Sequence, residues 1–230
     1  MAEFKSFKDL GVSIPDILLP KSSVNMGNWS VVACDQYTSE PEYWTEVEKL
    51  VGNNPSTLHM TFPEVYLENG SEDERIRKIN NTMKNYIKEN ILISHNSSII
   101  YVERNTSKSS LRRGIVLAVD LEKYDYNFGS QTLIRATEGT VIERLPPRIK
   151  IRENADLELP HVMLLIDDPD KTVIEPLAQK TAAFEKVYDF DLMMKGGHIK
   201  GYKVDDQNTL AQVADALEKL ASPDAFRENY

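Results

Sequence analysis

The sequence predicts an α+β fold in which a mixed or largely antiparallel sheet carries flanking helices, and three observations support that expectation. Two pairs of strand-like runs are joined by short polar or glycine-rich connections, as in hairpins. Several segments repeat apolar side chains at helical spacing between a capping residue and a stop signal. Strands and helices alternate only in places, which fits a mixed sheet better than a doubly wound parallel one.

Taken in order, residues 29–34 form a short valine-rich run that reads as a buried strand. A helix follows it. Ser39 can cap that helix, Pro41 suits its first turn, Tyr43, Trp44, Val47, Leu50 and Val51 form its apolar stripe, and Gly52 stops it. Residues 57–62 read as a second strand. Ser71 and Glu74 then have the spacing of a capping box, and Ile76, Ile79, Met83 and Ile87 share one helical face up to Lys88.

Residues 98–103 and 114–121 are two strands around a polar loop at 105–110, the pattern of an antiparallel hairpin. From 124 to 154 the periodicity is lost, and Gly129, Gly139, Pro146 and Pro147 punctuate a long loop with a short helix near 149–154. A strand at 161–166, a turn at Asp167-Asp168-Pro169 and a helix over 174–188 follow. Strands at 189–194 and 198–204 flank Lys195-Gly196-Gly197 as a hairpin, and a last helix covers 208–220. The whole reads as one α/β unit over 1–230, with a sub-boundary near 155–160.

Composition narrows the function classes. With 41% hydrophobic and 27% charged residues, the 230-residue chain has the make-up of a globular protein able to bury a core. A net charge of −9 repels a phosphate backbone, which argues against nucleic acid and favours a small-molecule substrate or a protein partner. Cys34 is the only cysteine, so no intrachain disulfide or thiolate cluster can form, and a reducing, cytoplasmic setting is expected. The first 21 residues lack a signal-peptide pattern, because Pro15, Asp16 and Pro20 interrupt their apolar residues. No apolar run approaches the roughly 18 residues of a membrane span.

The densest candidate site is the stretch 134–153, where Arg135, Arg144, Arg148, Lys150 and Arg152 gather in an otherwise acidic chain. Guanidinium forks suit carboxylate or phosphate, Thr137 and Thr140 add hydroxyls, and Glu138 could serve as a base toward a substrate hydroxyl. The alternative is an ion-paired surface loop, since acidic residues interleave with the basic ones. Asp35 opens a polar turn, residues 35–39, ahead of a helix, where an anion or polar substrate could be met; a plain helix cap looks the same. His59, His95, His161 and His198 have no ligand spacing, so no metal site is expected. Cys34 reads as a small core residue.

Three separated strings, 31–39, 134–147 and 194–202, resemble the domain-of-unknown-function family 1015 (DUF1015), over essentially the whole chain. The resemblance implies that the chain corresponds to the N-terminal part of such a protein, whose relatives continue past the equivalent of Tyr230 into an Asp-Gly-His-type motif. That family is in turn similar, more distantly, to the ParB and sulfiredoxin-like superfamily, in which a related motif holds nucleotide phosphates and some members phosphorylate free serine. The resemblance thus implies a nucleotide-dependent small-molecule kinase using ATP or ADP with Mg. It places Arg135, Thr137, Glu138 and Thr140 where relatives read His-Glu-Arg-Thr, and matches Asp35 to the aspartate of a Tyr-Asp turn. On this reading Glu138 and Asp35 are the catalytic candidates, and Arg135, Thr137, Thr140, Arg144 and Arg148 hold substrate or phosphate. A non-catalytic module that binds an anionic metabolite or a protein partner through the same loop is the competing expectation.

Overall fold

The computed structural model describes residues 5–67, 72–125, 127, 130, 132–134, 139, 141–159 and 161–221. In chain order the regular elements are α1 (Lys5–Leu10), β1 (Val12–Ser13), β2 (Ile17–Pro20), α2 (Met26–Trp29), α3 (Pro41–Val51), α4 (Glu72–Lys88), β3 (Leu92–His95), β4 (Ile99–Thr106), β5 (Ser109–Val116) and β6 (Ala118–Val119). They continue with α5 (Leu145–Arg152), α6 (Glu175–Ala178), β7 (Glu185–Leu192), β8 (Gly197–Val204) and α7 (Gln207–Leu220). The fold is α+β, and every strand pairing among the described residues is antiparallel.

The main sheet has the order β5-β4-β8-β7, so two hairpins meet along β4 and β8. Ile99 faces Val204 and Tyr101 faces Tyr202 across that seam. Alternation along β4 puts Ile99 and Tyr101 on one face, where they are fully buried against Leu210, Val213 and Ala214 of α7 and Val173 and Leu177 before the sheet resumes. Asp206 fixes the start of α7 by accepting from the Thr209 amide at 2.8 Å and the Thr209 hydroxyl at 2.6 Å.

Two further apolar clusters lie beside α3 and α4. Trp44, Val47 and Val51 of α3 are fully buried with Leu58, and each of these side chains contributes roughly 1.5–3 kcal/mol by leaving water. The α4 stripe of Ile76, Ile79 and Met83 packs on Trp29, Met60, Phe62 and Leu92. Glu72, Asp73 and Glu74 in the first turn of α4 and Lys88 in its last suit the helix dipole.

Four expected elements are corrected. Residues 29–34 form no strand: Asn25 accepts from the amides of Gly27 and Asn28 and winds α2, and the Val31 amide then donates to the Thr57 hydroxyl rather than to a ladder. Residues 57–62 hold a 3₁₀ turn, Thr57–Met60, because the Ser56 hydroxyl accepts from the Leu58 amide. Residues 161–166 have no ladder partner among the described residues. The helix expected over 174–188 stops at Ala178, and from Glu185 the chain pairs with β8, so tertiary pairing overrides local preference.

Smaller differences concern boundaries. Glu40, not Ser39, precedes α3 and makes no side-chain cap. Ser71 of the expected capping box lies outside the described residues. The 98–121 hairpin closes more tightly than expected, with Thr106 opposite Ser109. The short helix expected at 149–154 begins earlier, at Leu145, with Pro146 and Pro147 in its first turn.

Candidate functional site

Asp35 sits at the start of the turn that precedes α3, and neighbouring backbone and rings fix that turn. The Gln36 amide donates to the Ala33 carbonyl at 3.0 Å, while the Trp44 indole N–H donates to the Gln36 carbonyl at 3.1 Å. Tyr37 takes a positive φ of 53° and stacks on Tyr43 with ring centroids 3.8 Å apart. The turn is thereby anchored to the buried face of α3.

A second segment docks on the same turn. After the buried pair Phe62-Pro63, the Glu64 amide donates to the Cys34 carbonyl at 2.8 Å, which sets Glu64 beside Cys34 and Asp35. The Glu64 side chain is 5% exposed. A carboxylate at that depth requires charged partners.

Arg144 and Arg148 supply them. Arg144 stands at the N-terminal boundary of α5 and Arg148 one turn later, so both reach the same face. Arg144 Nη1 donates to Glu64 Oε2 at 3.1 Å, and Arg148 Nε donates to Glu64 Oε1 at 2.8 Å with its Nη2 on the same oxygen. Lys150 pairs with Asp73 at 3.2 Å and ties α5 to α4. The described basic residues of 134–153 thus all carry an ion pair, Arg152 with Glu158 at 2.8 Å among them, and they lie on a helix and its N-terminal boundary, not in a loop.

The cluster is electrostatically coupled. Burial works to lower the Arg148 pKa, but the Glu64 hydrogen bonds and charge, with smaller help from Cys34 and Asp35, hold it above the ordinary guanidinium value. Burial pushes the Cys34 thiol up and the Glu64 charge pushes it further, against the opposing pull of Arg148. Cys34 is accordingly a neutral thiol, not an activated nucleophile.

Of the residues expected from sequence, the structure brings Asp35, Arg144 and Arg148 into one neighbourhood. Arg135, Thr137, Glu138 and Thr140 lie outside the described residues. Glu64 was not expected, because nothing local marks it; the only hint is that Arg144 and Arg148 are four residues apart and need a common acceptor. The Lys195-Gly196-Gly197 turn joins β7 to β8 as a hairpin, with Gly197 at φ 96°. Among the described residues no three His, Cys, Asp or Glu side chains converge as a metal site, and no helix is long and apolar enough to cross a membrane.

The model of the family described as "Protein of unknown function (DUF1015)" matches residues 16–223, and the chain belongs to that family. No curated protein and no solved structure matches it.

Proposed function

We propose that this DUF1015 member binds a small anionic metabolite at Arg144 and Arg148. One observation carries the reading: a single buried carboxylate, Glu64, pins two guanidiniums whose side chains are still 44% and 35% exposed. Glu64 and the Asp35 charge that reaches Arg148 balance the two guanidiniums, so an anion is drawn by their unfilled N–H donors and not by a net positive charge. Glu64 occupies three of the N–H donors, which leaves further donors on each of the two partly exposed guanidiniums, tethered by those bonds. Preorganised donors of this kind lower the entropic cost of capturing a carboxylate or phosphate.

Thermal unfolding in the presence of inorganic phosphate, a dicarboxylate, and ADP or ATP with and without Mg tests the proposal. An anion held at one hundred times its Kd should add about 2.7 kcal/mol to the wild type. Arg144→Ala, which removes one of the three bonds to Glu64, should keep the fold and lose that gain. Absence of a shift with every anion, or a shift that survives Arg144→Ala, would overturn the reading.

Nucleotide-dependent phosphorylation of a small hydroxylated substrate is a second reading, favoured by the Asp35 carboxylate whose charge reaches Arg148. A carboxylate beside a phosphate-holding guanidinium is the pairing that orients a hydroxyl for attack on a phosphoryl group. Glu138 would be the base and Arg135, Thr137 and Thr140 further phosphate contacts. Incubation with ATP or ADP, Mg and serine reads it out as phosphoserine. Asp35→Asn should retain nucleotide binding and lose product, and equal turnover in that variant would remove Asp35 from the reaction.

A further inference from the structure

A cleft of about 240 Å³ opens between α3 and the start of α4, lined by Glu48, Gly52, Leu58, His59 and Arg75. It has no part in the Glu64 cluster. Its two charged side chains, Glu48 and Arg75, both lie close to the Tyr66 ring. Arg75 lies over the ring of Tyr66 at 4.3 Å from the centroid and over Phe62 at 5.6 Å, while burial first and the nearby Glu48 carboxylate second push the Tyr66 hydroxyl up to about 12. The Arg75 guanidinium is thus stacked on a phenol face instead of being paired with the Glu48 carboxylate that shares the cleft. Among the described residues Glu48 and Arg75 form no ion pair, and no other carboxylate pairs with Arg75.

Opposite charges that share a cleft without pairing form a receptor for a ligand with both charges. Cation–π contact leaves the in-plane N–H donors of Arg75 free for a carboxylate. The Glu48 carboxylate has lone pairs to offer an ammonium group. His59 Nε2 lies 3.1 Å from the Asn54 carbonyl; with the proton on that nitrogen, Nδ1 is an acceptor as well. The volume lies below the usual range for drug-sized ligands and suits a molecule of about ten heavy atoms. We infer that this cleft binds a small zwitterion, α-amino acids being the simplest class, with Arg75 taking the carboxylate and Glu48 the ammonium group.

Isothermal titration of the full chain with the common α-amino acids tests this, beside controls that carry only one of the two charges: the corresponding amines and the corresponding carboxylic acids. At least one amino acid should bind at least tenfold more tightly than either of its single-charge analogues. Glu48→Gln, on the exposed side of α3, should bring the amino acid down to the affinity of the carboxylic acid. Arg75→Gln should do the reverse and bring it down to that of the amine. Arg144→Ala should leave amino-acid binding unchanged, so failure at the Glu64 cluster and failure here are separable. No binding of any amino acid by the wild type, equal affinity for an amino acid and its carboxylic acid, or wild-type affinity retained in Glu48→Gln would each overturn the inference. Unfolding midpoints close to wild type for Glu48→Gln confirm that the comparison is made on folded protein, and Glu48→Asp, which keeps the charge, should restore part of the affinity.

Discussion

Glu64 and Arg148, 84 residues apart in the chain, are joined by two hydrogen bonds to one carboxylate oxygen, and that pair closes the 30–67 segment against α5. Arg144 adds a single bond to the other oxygen. The two arginines are therefore unequal partners of one acid.

That inequality sets a stability order. Arg148→Ala is expected to cost about 1–3 kcal/mol, less than the roughly 3–5 kcal/mol of breaking a fully buried pair because solvent reaches part of the guanidinium. Arg144→Ala should cost under about 1 kcal/mol. Urea unfolding of both variants decides it. Coincident midpoints would mean that packing, not the arginines, keeps Glu64 in place.

On the β7–β8 hairpin, His198 donates from Nδ1 to Asp191 and from Nε2 to Asp189, each at 2.7 Å, an arrangement that needs both ring nitrogens protonated. The Asp191 bond, then the Asp189 bond, raises the His198 pKa above the usual histidine value, while Lys186 competes for Asp189 at 2.6 Å. A raised folded value means that the stabilisation is complete below the unfolded pKa near 6.5 and is lost as pH climbs through the higher folded one. Imidazole proton shifts followed by NMR should show the raised value. Asp191→Asn should lower it more than Asp189→Asn, and a histidine that titrates normally would disprove the double bond.

Gly201 of β8 lies under the ring of Tyr188 in β7, where a Cβ would collide with the ring carbons. Burial alone pushes the Tyr188 hydroxyl up to about 12. Gly201→Ala should destabilise by about 1–3 kcal/mol through overpacking. Combined with Tyr188→Ala, it should cost much less than the sum of the two single changes. Strict additivity in guanidinium unfolding would mean that the ring does not rest on this glycine.

The segments legible in the sequence were those whose information is local. The helices α3, α4 and α7 carry their own apolar stripes and stops, and the β7–β8 hairpin has its glycines at the turn. Residues 29–34 misled because valines suggest a strand, whereas the Asn25 side chain and Thr57 hydroxyl decide the backbone there. The 174–188 stretch misled because its fate depends on β8 as a partner. Glu64 stayed invisible for the same reason: its meaning resides in two arginines far along the chain. Arg144 and Arg148 could be singled out by composition, but their common acceptor could not.

The seam between β4 and β8 has a consequence for how the protein is made. A ribosome completes the 99–116 hairpin about eighty residues before β8 exists. Joining Ile99 to Val204 closes a loop of about a hundred residues, a cost that grows only slowly with length but precedes any reward from α7 docking. During that interval β4 has one edge unpaired and Ile99 and Tyr101 uncovered, so the nascent chain offers a template for other strands. Production at lower temperature or with holdase chaperones should therefore raise soluble yield more than any substitution in the finished core.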